Sequence, residues 1–438
     1  MLNVLVLYDE RATNIVAVLD HLSAFEEHSK HRIFYAPAVR NAPCLVDLRA
    51  FDAICLHYSV RLRFEQFISP DWARAVESFK GKKLAFLQDE YEYTDCSRRW
   101  LKRLGVSHVF TCVPQPYVEH VYPQAMFPGV KFTSVLTGYA PPWAFHDRRF
   151  DDISSRPIVL GYRGRRLPLH YGTLGIEKAR IADVALDCQA RGIPHDIEAD
   201  DAKRIHGSAW RGWLRRCRAV LGTESGCNLF DFFGALAKRT ELSLAEITRL
   251  EEASGIRMNQ ISPRIFEAVA CGTVCVLYPG EYSGLLRAGE HYIELAKDHS
   301  NVGEVLRTLS DFDTLERMRR KAYDHLIRGE NGYRTLVCLF DEALEHTPIT
   351  RTHDLLMAIV GSAETGPSQV PWAHGAFRAL ATSQPLQTFE ADRGLRGPVD
   401  LQLYAKNTIR KVTHRAWRSV RQGAHKLIST SRAWRQRR

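Results

Sequence analysis

The sequence predicts an α/β protein made of two doubly wound units in tandem, with a basic helical C-terminal tail. Three observations carry that prediction. Short apolar runs alternate with amphipathic helical stretches over the first 140 residues, the alternation restarts near residue 157, and the excess charge is concentrated at the end of the chain. Apolar strands separated by helices imply a parallel sheet covered on both faces. A chain of 438 residues also exceeds what one core ordinarily organises, so at least two domains are expected.

In the first unit, residues 1–145, the segments NVLVLY (3–8), HRIFYA (31–36), DAICLHY (52–58), KKLAFLQ (82–88), SHVFTC (107–112) and KFTSVL (131–136) read as strands. Helical patterns lie between several of them, at 71–79 and 96–104 for instance. A stretch rich in Pro, Asp and Arg (141–157) reads as the connection. In the second unit, residues 155–346, PIVLGY (157–162), CRAVLGT (217–223) and TVCVLY (273–278) read as strands. Helices are expected at 175–190, 243–253, from 263, and at about 300–309, 314–328 and 333–345. The segment HYIELAKDHSN (291–301) reads as an edge strand leading into a helix. Residues 347–400 lack periodicity and read as an irregular linker.

The net charge of +10 misleads as an average. Residues 401–438 hold 11 Lys/Arg and no Asp/Glu, which leaves 49 basic and 50 acidic residues in the body. A chain-wide nucleic-acid surface is therefore not favoured. Within the tail, Ile409, Val412, Ala416, Val420 and Leu427 recur at helical spacing among arginines and lysines, with Trp417 and Trp434. This is a basic amphipathic helix suited to an anionic membrane surface. Docking on the body and a nucleic-acid arm are the other two readings. No apolar run reaches the length of a membrane span. The N-terminus lacks a basic n-region and reads as a first strand. Ten scattered cysteines without CxxC or zinc spacing suggest reduced thiols and a cytoplasmic setting, peripheral at the inner face of the membrane if the tail binds there.

The chemistry concentrates in ISPRIFEAVACGTVCVLYPGEYSG (261–284). Ser262-Pro263 is a helix start and Gly272 a helix stop. The helix between them looks buried nearly all round, yet it carries Glu267. A dipole or capping role would explain a carboxylate there. A ligand would also explain it, since a buried carboxylate needs a partner and ligands gather at strand carboxyl ends in such sheets. A ribose diol would supply two donors.

At these residues the sequence resembles the C-terminal signature of the GT-B fold, retaining-type nucleotide-sugar glycosyltransferases. The resemblance implies two Rossmann-like domains facing a cleft, a nucleotide-sugar donor in the second and a glycan or lipid-linked acceptor in the first. The family signature is E-x7-E, whose second Glu binds ribose and whose first contacts the donor sugar. Glu267 matches the second. Asn259 stands where the first belongs, so the motif is broken. In AVLGTESG (219–226), Glu224 follows a strand and a Thr in the family's order and is expected to replace the missing Glu, with 227–260 as an insertion between the two halves. A loop carboxylate capping the next helix is the alternative.

The resemblance also implies an Arg and a Lys for the diphosphate. In GYRGRRLPLHYGTLGIEK (161–178) the candidates are Arg163, Arg165, Arg166 and Lys178, with a solvated basic loop as the alternative. PGEYSG (279–284) could form an amide nest through Ser283 and Gly284 or be an ordinary turn. In the first unit, Asp89 and Glu90 stand just beyond a strand and could serve as acid–base or orienting groups, with a solvated acidic loop as the alternative. No metal and no other cofactor is expected. The one DxD string, Asp311-Phe312-Asp313, reads as a helix cap, the resembled family is similar in not needing a metal held by such a string, and neither a Walker loop nor a GxGxxG is found. The setting implied is bacterial surface-polysaccharide or lipopolysaccharide synthesis. A sugar-nucleotide epimerase of the same fold, or a non-catalytic membrane- or nucleic-acid-binding protein, are the competing functions.

Overall fold

The computed structural model describes residues 1–145, 150–239 and 241–349. The tail at 401–438 and nearly all of the expected linker at 347–400 lie outside these described residues. The first sheet contains β1 (Asn3–Tyr8), β2 (Arg32–Pro37), β3 (Ala53–Leu56), β4 (Lys82–Phe86), β5 (His108–Thr111) and β6 (Lys131–Ser134). The second contains β7 (Ile158–Arg163), β8 (His195–Glu198), β9 (Cys217–Gly222), β10 (Val274–Leu277) and β11 (Ile293–Glu294). Every named pairing is parallel.

The strand orders are β2-β1-β3-β4-β5-β6 and β11-β10-β9-β7-β8. In the second sheet the chain winds one way from β7 to β8 and the other way from β9 to β10. The loops after β7 and β9 therefore part at a switch point, where an open sheet leaves a crevice. The central strands are apolar on both faces; β1, β3, β5 and β10 are buried along their whole length. Burial of that kind supplies the main driving force for each layer. The α/β class and the pair of doubly wound units expected from the sequence are what the structure contains.

Three details differ from the expectation. The helix expected at 175–190 is broken, into Gly172–Arg180, a tight turn and Val184–Ala190. The strand β8, HDIE, has no apolar run because it is a half-buried edge strand. The helix Tyr333–Ala343, assigned by sequence to the second unit, packs on the first instead. Its Leu336, Val337 and Phe340 join the core formed by Val4, Val6, Leu22 and Phe25, with the Phe25 and Phe340 rings 4.7 Å apart. An apolar stripe shows that a helix docks, not onto which sheet.

The two units also meet elsewhere. Thr137 Oγ1 donates to the carbonyl of Ile261 at 2.6 Å, and Gln260 Nε2 donates to the carbonyl of Cys112. A Cβ on Gly138 would stand 2.7 Å from the Pro263 ring, so only glycine allows this approach.

Candidate functional site

A pocket of about 260 Å³ opens at the switch point of the second sheet. Arg163, Gly164 and Arg165 line it from the end of β7, and Thr223 and Ser225 from the end of β9. Ser262, Arg264, Ile265 and Ala268 of the helix Pro263–Ala270 form another wall, with Lys178 and Tyr171 beside them. Asp89 and Tyr91, from the loop after β4, complete it from the first unit. Asp89 is the one carboxylate among the described lining residues, against four cationic side chains.

The arginine loop is divided in its duties. Arg163, expected to meet a diphosphate, is instead clamped: its guanidinium reaches both oxygens of Asp196 at 2.7 Å and lies 4.9 Å from the Trp213 ring. Nη2 makes both of these carboxylate contacts, and Nη1 donates to the carbonyls of Tyr162 and Asp196 at 2.9 Å each, which holds the side chain in place. Arg165 is exposed and lines the pocket, whereas Arg166 is exposed and outside the lining. Lys178 is in the lining, and burial lowers its pKa below the usual lysine range. Arg264, which sequence reasoning did not single out, joins them and donates to the Arg163 carbonyl at 2.5 Å. The N-terminus of Gly172–Arg180 is not open to an anion, since Glu251 accepts from the Thr173 N–H at 2.9 Å and its hydroxyl at 2.7 Å.

Glu224 departs from its expected role. Thr223 and Ser225 face the pocket, and the carboxylate between them turns away. Its Oε1 accepts the backbone N–H groups of Glu281 at 2.7 Å and Tyr282 at 3.0 Å. Its Oε2 accepts Nδ2 of Asn259 at 2.6 Å. Glu224 is buried, and burial raises its pKa against those hydrogen bonds. Here it anchors the loop, and it is not among the residues that line the pocket. The same bonds correct the nest expected in PGEYSG. Its amides at 281 and 282 are taken by Glu224, the Ser283 N–H by the Asn259 carbonyl at 3.1 Å and the Gly284 N–H by the Glu281 carbonyl at 2.7 Å, while Ser283 Oγ accepts the Ile261 N–H at 3.1 Å. Neither Ser283 nor Gly284 lines the pocket. Tyr282, Ser283 and Gly284 all have positive φ, at 45°, 57° and 74°. Two of them are not glycine, so this strained turn needs such an anchor.

Glu267 sits one turn from Arg264 on the helix that walls the pocket, beside Trp210, and is not itself among the lining residues. Its Oε2 accepts the indole N–H of Trp210 at 2.8 Å, and burial raises its pKa. Trp210 stacks on Trp213 with ring centroids 5.1 Å apart and planes 19° from parallel. Each indole is held in the same way. Trp213 donates to Asp196 at 2.7 Å and carries Arg163, while Trp210 donates to Glu267 and has Arg264 5.7 Å from its ring. These tryptophans lie three residues apart on the helix Gly207–Arg216. That spacing in AWRGWLRR was the available signal for the missed pair.

In the first unit, Asp89 has φ +53°. It accepts Arg63 at 3.0 Å and the Tyr91 hydroxyl at 3.0 Å. Glu90 points into the core instead, accepting the Cys112 N–H at 2.7 Å, the Tyr122 hydroxyl at 2.8 Å and the Thr111 hydroxyl. Burial pushes it up to about 7. Asp311 caps the helix Phe312–Leu326 through the Thr314 N–H at 3.1 Å. Among the described residues no group of three His, Cys, Asp or Glu side chains could hold a metal ion.

A family model described as "Glycosyl transferase-like" matches residues 195–335. The matched stretch runs from β8 through β11 of the second unit and marks that unit as glycosyl transferase-like. A comparison with curated proteins finds no match. Among solved structures, an alpha-glucosyltransferase in complex with UDP-glucose and DNA containing an abasic site is 11% identical, covering 78% of this chain and 100% of its own, with a TM-score of 0.49. The T4 phage beta-glucosyltransferase is 9% identical, covering 78% and 99%, at 0.46. HepE of Anabaena, in complex with UDP and glucose, is 12% identical, covering 79% and 100%, at 0.43.

Proposed function

We propose that this protein transfers a glycosyl group from a nucleoside-diphosphate sugar to a hydroxyl of a glycan or lipid-linked acceptor. The observation that carries the reading is the charge of the switch-point pocket. Arg165, Lys178 and Arg264 line it, and Asp89 is the one carboxylate among its described lining residues. Such a set favours an anion, and a diphosphate is the anion that a nucleotide-sugar brings to this position.

In this reading the three cations stabilise the diphosphate as the bond from the anomeric carbon to its oxygen breaks, with no metal required. Glu267, one oxygen held by Trp210, accepts the ribose hydroxyls on the other. Asp89, fixed by Arg63 and Tyr91 at the rim, orients the acceptor hydroxyl or takes its proton. Arg163 acts indirectly, by bracing Trp213 and the Arg264 backbone contact. A surface-polysaccharide or lipopolysaccharide setting, with residues 401–438 holding the enzyme at the inner face of the membrane, follows from the sequence of the tail.

A thermal-shift series with UDP, GDP, CMP and dTDP sugars tests the donor site. A nucleotide that binds only the folded state stabilises it by about 2.7 kcal/mol at a hundredfold excess over Kd. One of the four should raise Tm, and the rise should survive EDTA. No shift with any of them would remove the donor-site reading.

A further inference from the structure

Beside the donor pocket lies a second concavity, of about 260 Å³, that the reading above leaves unused. Phe64, Tyr93, Phe232 and Phe233 supply its aromatic wall, and Arg63, Glu65, Asp95 and Arg99 its charged rim. Arg63 links this concavity to the donor pocket, since its guanidinium reaches Asp89 of that pocket at 3.0 Å.

The aromatic wall is built to stay exposed. Phe233 is 76% exposed and Phe64 36%. Phe233 does not hang from a loose loop. Its segment is pinned on both sides, by the Asp231 N–H on the Tyr91 carbonyl at 2.8 Å and the Asp95 N–H on the Phe232 carbonyl at 2.9 Å. Asp231 then closes the turn, accepting the N–H groups of Ala235 and Ala237, each at 2.8 Å. Opposite, Tyr93 is held at φ +48°, and a Cβ on Gly234 would fall 2.1 Å from its ring. Backbone strain and a glycine contact are thus both spent on placing aromatic side chains at the mouth of a cleft. Large apolar groups held rigidly in water mark a binding surface.

Charge selects the partner. The rim has two arginines and two carboxylates, and Arg99 pairs with both Glu65 and Asp95. This neutral rim gives no net attraction to a polyanion, as a nucleic acid or anionic membrane would need. It does offer paired donors and acceptors for hydroxyl groups. We propose that the notch is the acceptor subsite and holds a neutral pyranose ring, its C–H face on Phe64 and Phe233 and its hydroxyls on Glu65, Asp95 and Arg99. The acceptor role rests on the glycosyl-transfer reading; the sugar chemistry rests on the notch itself.

The test uses the full chain with saturating UDP and saturation-transfer difference NMR. The probes are neutral trisaccharides of glucose, galactose and N-acetylglucosamine, with single-stranded oligothymidine and phosphatidylglycerol vesicles as the other arms. At least one trisaccharide should receive saturation at its ring C–H protons. Phe233→Ala and Phe64→Ala should each weaken it tenfold or more while UDP affinity stays within twofold. The proposal is overturned if no trisaccharide binds, if binding is unchanged in both variants, or if the variants instead lose oligothymidine or vesicle binding. Failure of UDP, GDP, CMP and dTDP sugars alike to bind would strike the transfer reading and leave trisaccharide binding as a separate result.

Discussion

Asn259 and Glu224, 35 residues apart in sequence, are joined by a hydrogen bond of 2.6 Å from Nδ2 to Oε2. The excursion between them is closed at its base by a pair of backbone bonds, Ser225 N–H to the Gln260 carbonyl at 2.7 Å and the reverse at 3.0 Å. The asparagine that breaks the E-x7-E spacing is therefore bonded to the carboxylate expected to replace it. Together they secure the turn at 279–284.

If Glu224 anchors that turn, its loss is a stability defect before it is a binding defect. Glu224→Ala leaves the buried Tyr282 N–H, the half-buried Glu281 N–H and the Asn259 amide without their acceptor, at about 1–3 kcal/mol for each buried group so stranded. The expected result is a Tm several degrees lower, with UDP and UDP-sugar affinities reduced by the same factor. A selective loss for the sugar-bearing nucleotide, at unchanged Tm, would restore Glu224 as a sugar ligand.

The Trp210 N–H fixes the rotamer of Glu267, so Trp210→Phe should keep the stack on Trp213 and release the carboxylate. Nucleotide affinity is expected to fall about tenfold, the equivalent of one hydrogen bond to a charged group. Preference for a ribonucleotide over its 2′-deoxy form should fall with it, measured by calorimetry on both ligands. An unchanged preference would place the ribose elsewhere.

Burial depresses the pKa of Lys178. Its ammonium is charged at low pH and is lost earlier than an ordinary lysine as pH rises, so nucleotide affinity should decline toward alkaline pH. Lys178→Arg, which resists deprotonation, should flatten that decline. Lys178→Met should weaken binding at all pH values and reduce its dependence on salt.

Glu90 gives a separable signature, in stability and at lower pH. Its folded-state pKa of about 7 lies above that of an unfolded glutamate. The folded state thus binds the extra proton, and stability declines as pH rises from about 4.5 to 7, by an amount on the order of 3 kcal/mol. In Glu90→Gln this decline is absent, so the Tm difference between variant and wild type should grow in favour of the variant across that window. A constant difference would mean that Glu90 titrates normally.

Phe340 tests the placement of the last helix. Phe340→Ala should cost about 3–5 kcal/mol. Hydrogen exchange should rise first in the first unit, around Phe25 and Phe86, and not in the second sheet that precedes it in sequence. Exposure confined to the second unit would contradict the packing.

The parts that were legible in the sequence are those set by local pattern. β3 and β10 are uninterrupted apolar runs, and β1, β4, β5, β7 and β9 each carry an apolar stretch, because their centres are buried on both faces, and the start at Ser262-Pro263 and the stop at Gly272 are local backbone rules. The pocket's position also followed, since strand ends at a switch point are a topological matter. What failed to show depends on partners far along the chain. Arg163 looks like Arg165 until Asp196 arrives from a strand with no apolar signature. Glu224 reads as a ligand until the amides at 281 and 282 reach it. Arg264 and the two tryptophans gain meaning only when their helices pack together.

The excursion at 227–260 has a consequence for anyone recombining such enzymes. Phe230, Ile256 and Met258 come from the second unit's chain yet complete the core of the first. A chimera joined at the connection near residue 150 would carry the donor half into a host whose core has no vacancy for these side chains, and leave its old partner with a hole. The two halves have become hereditary companions: new donor specificities are more readily reached by changing the pocket wall in place than by exchanging whole halves.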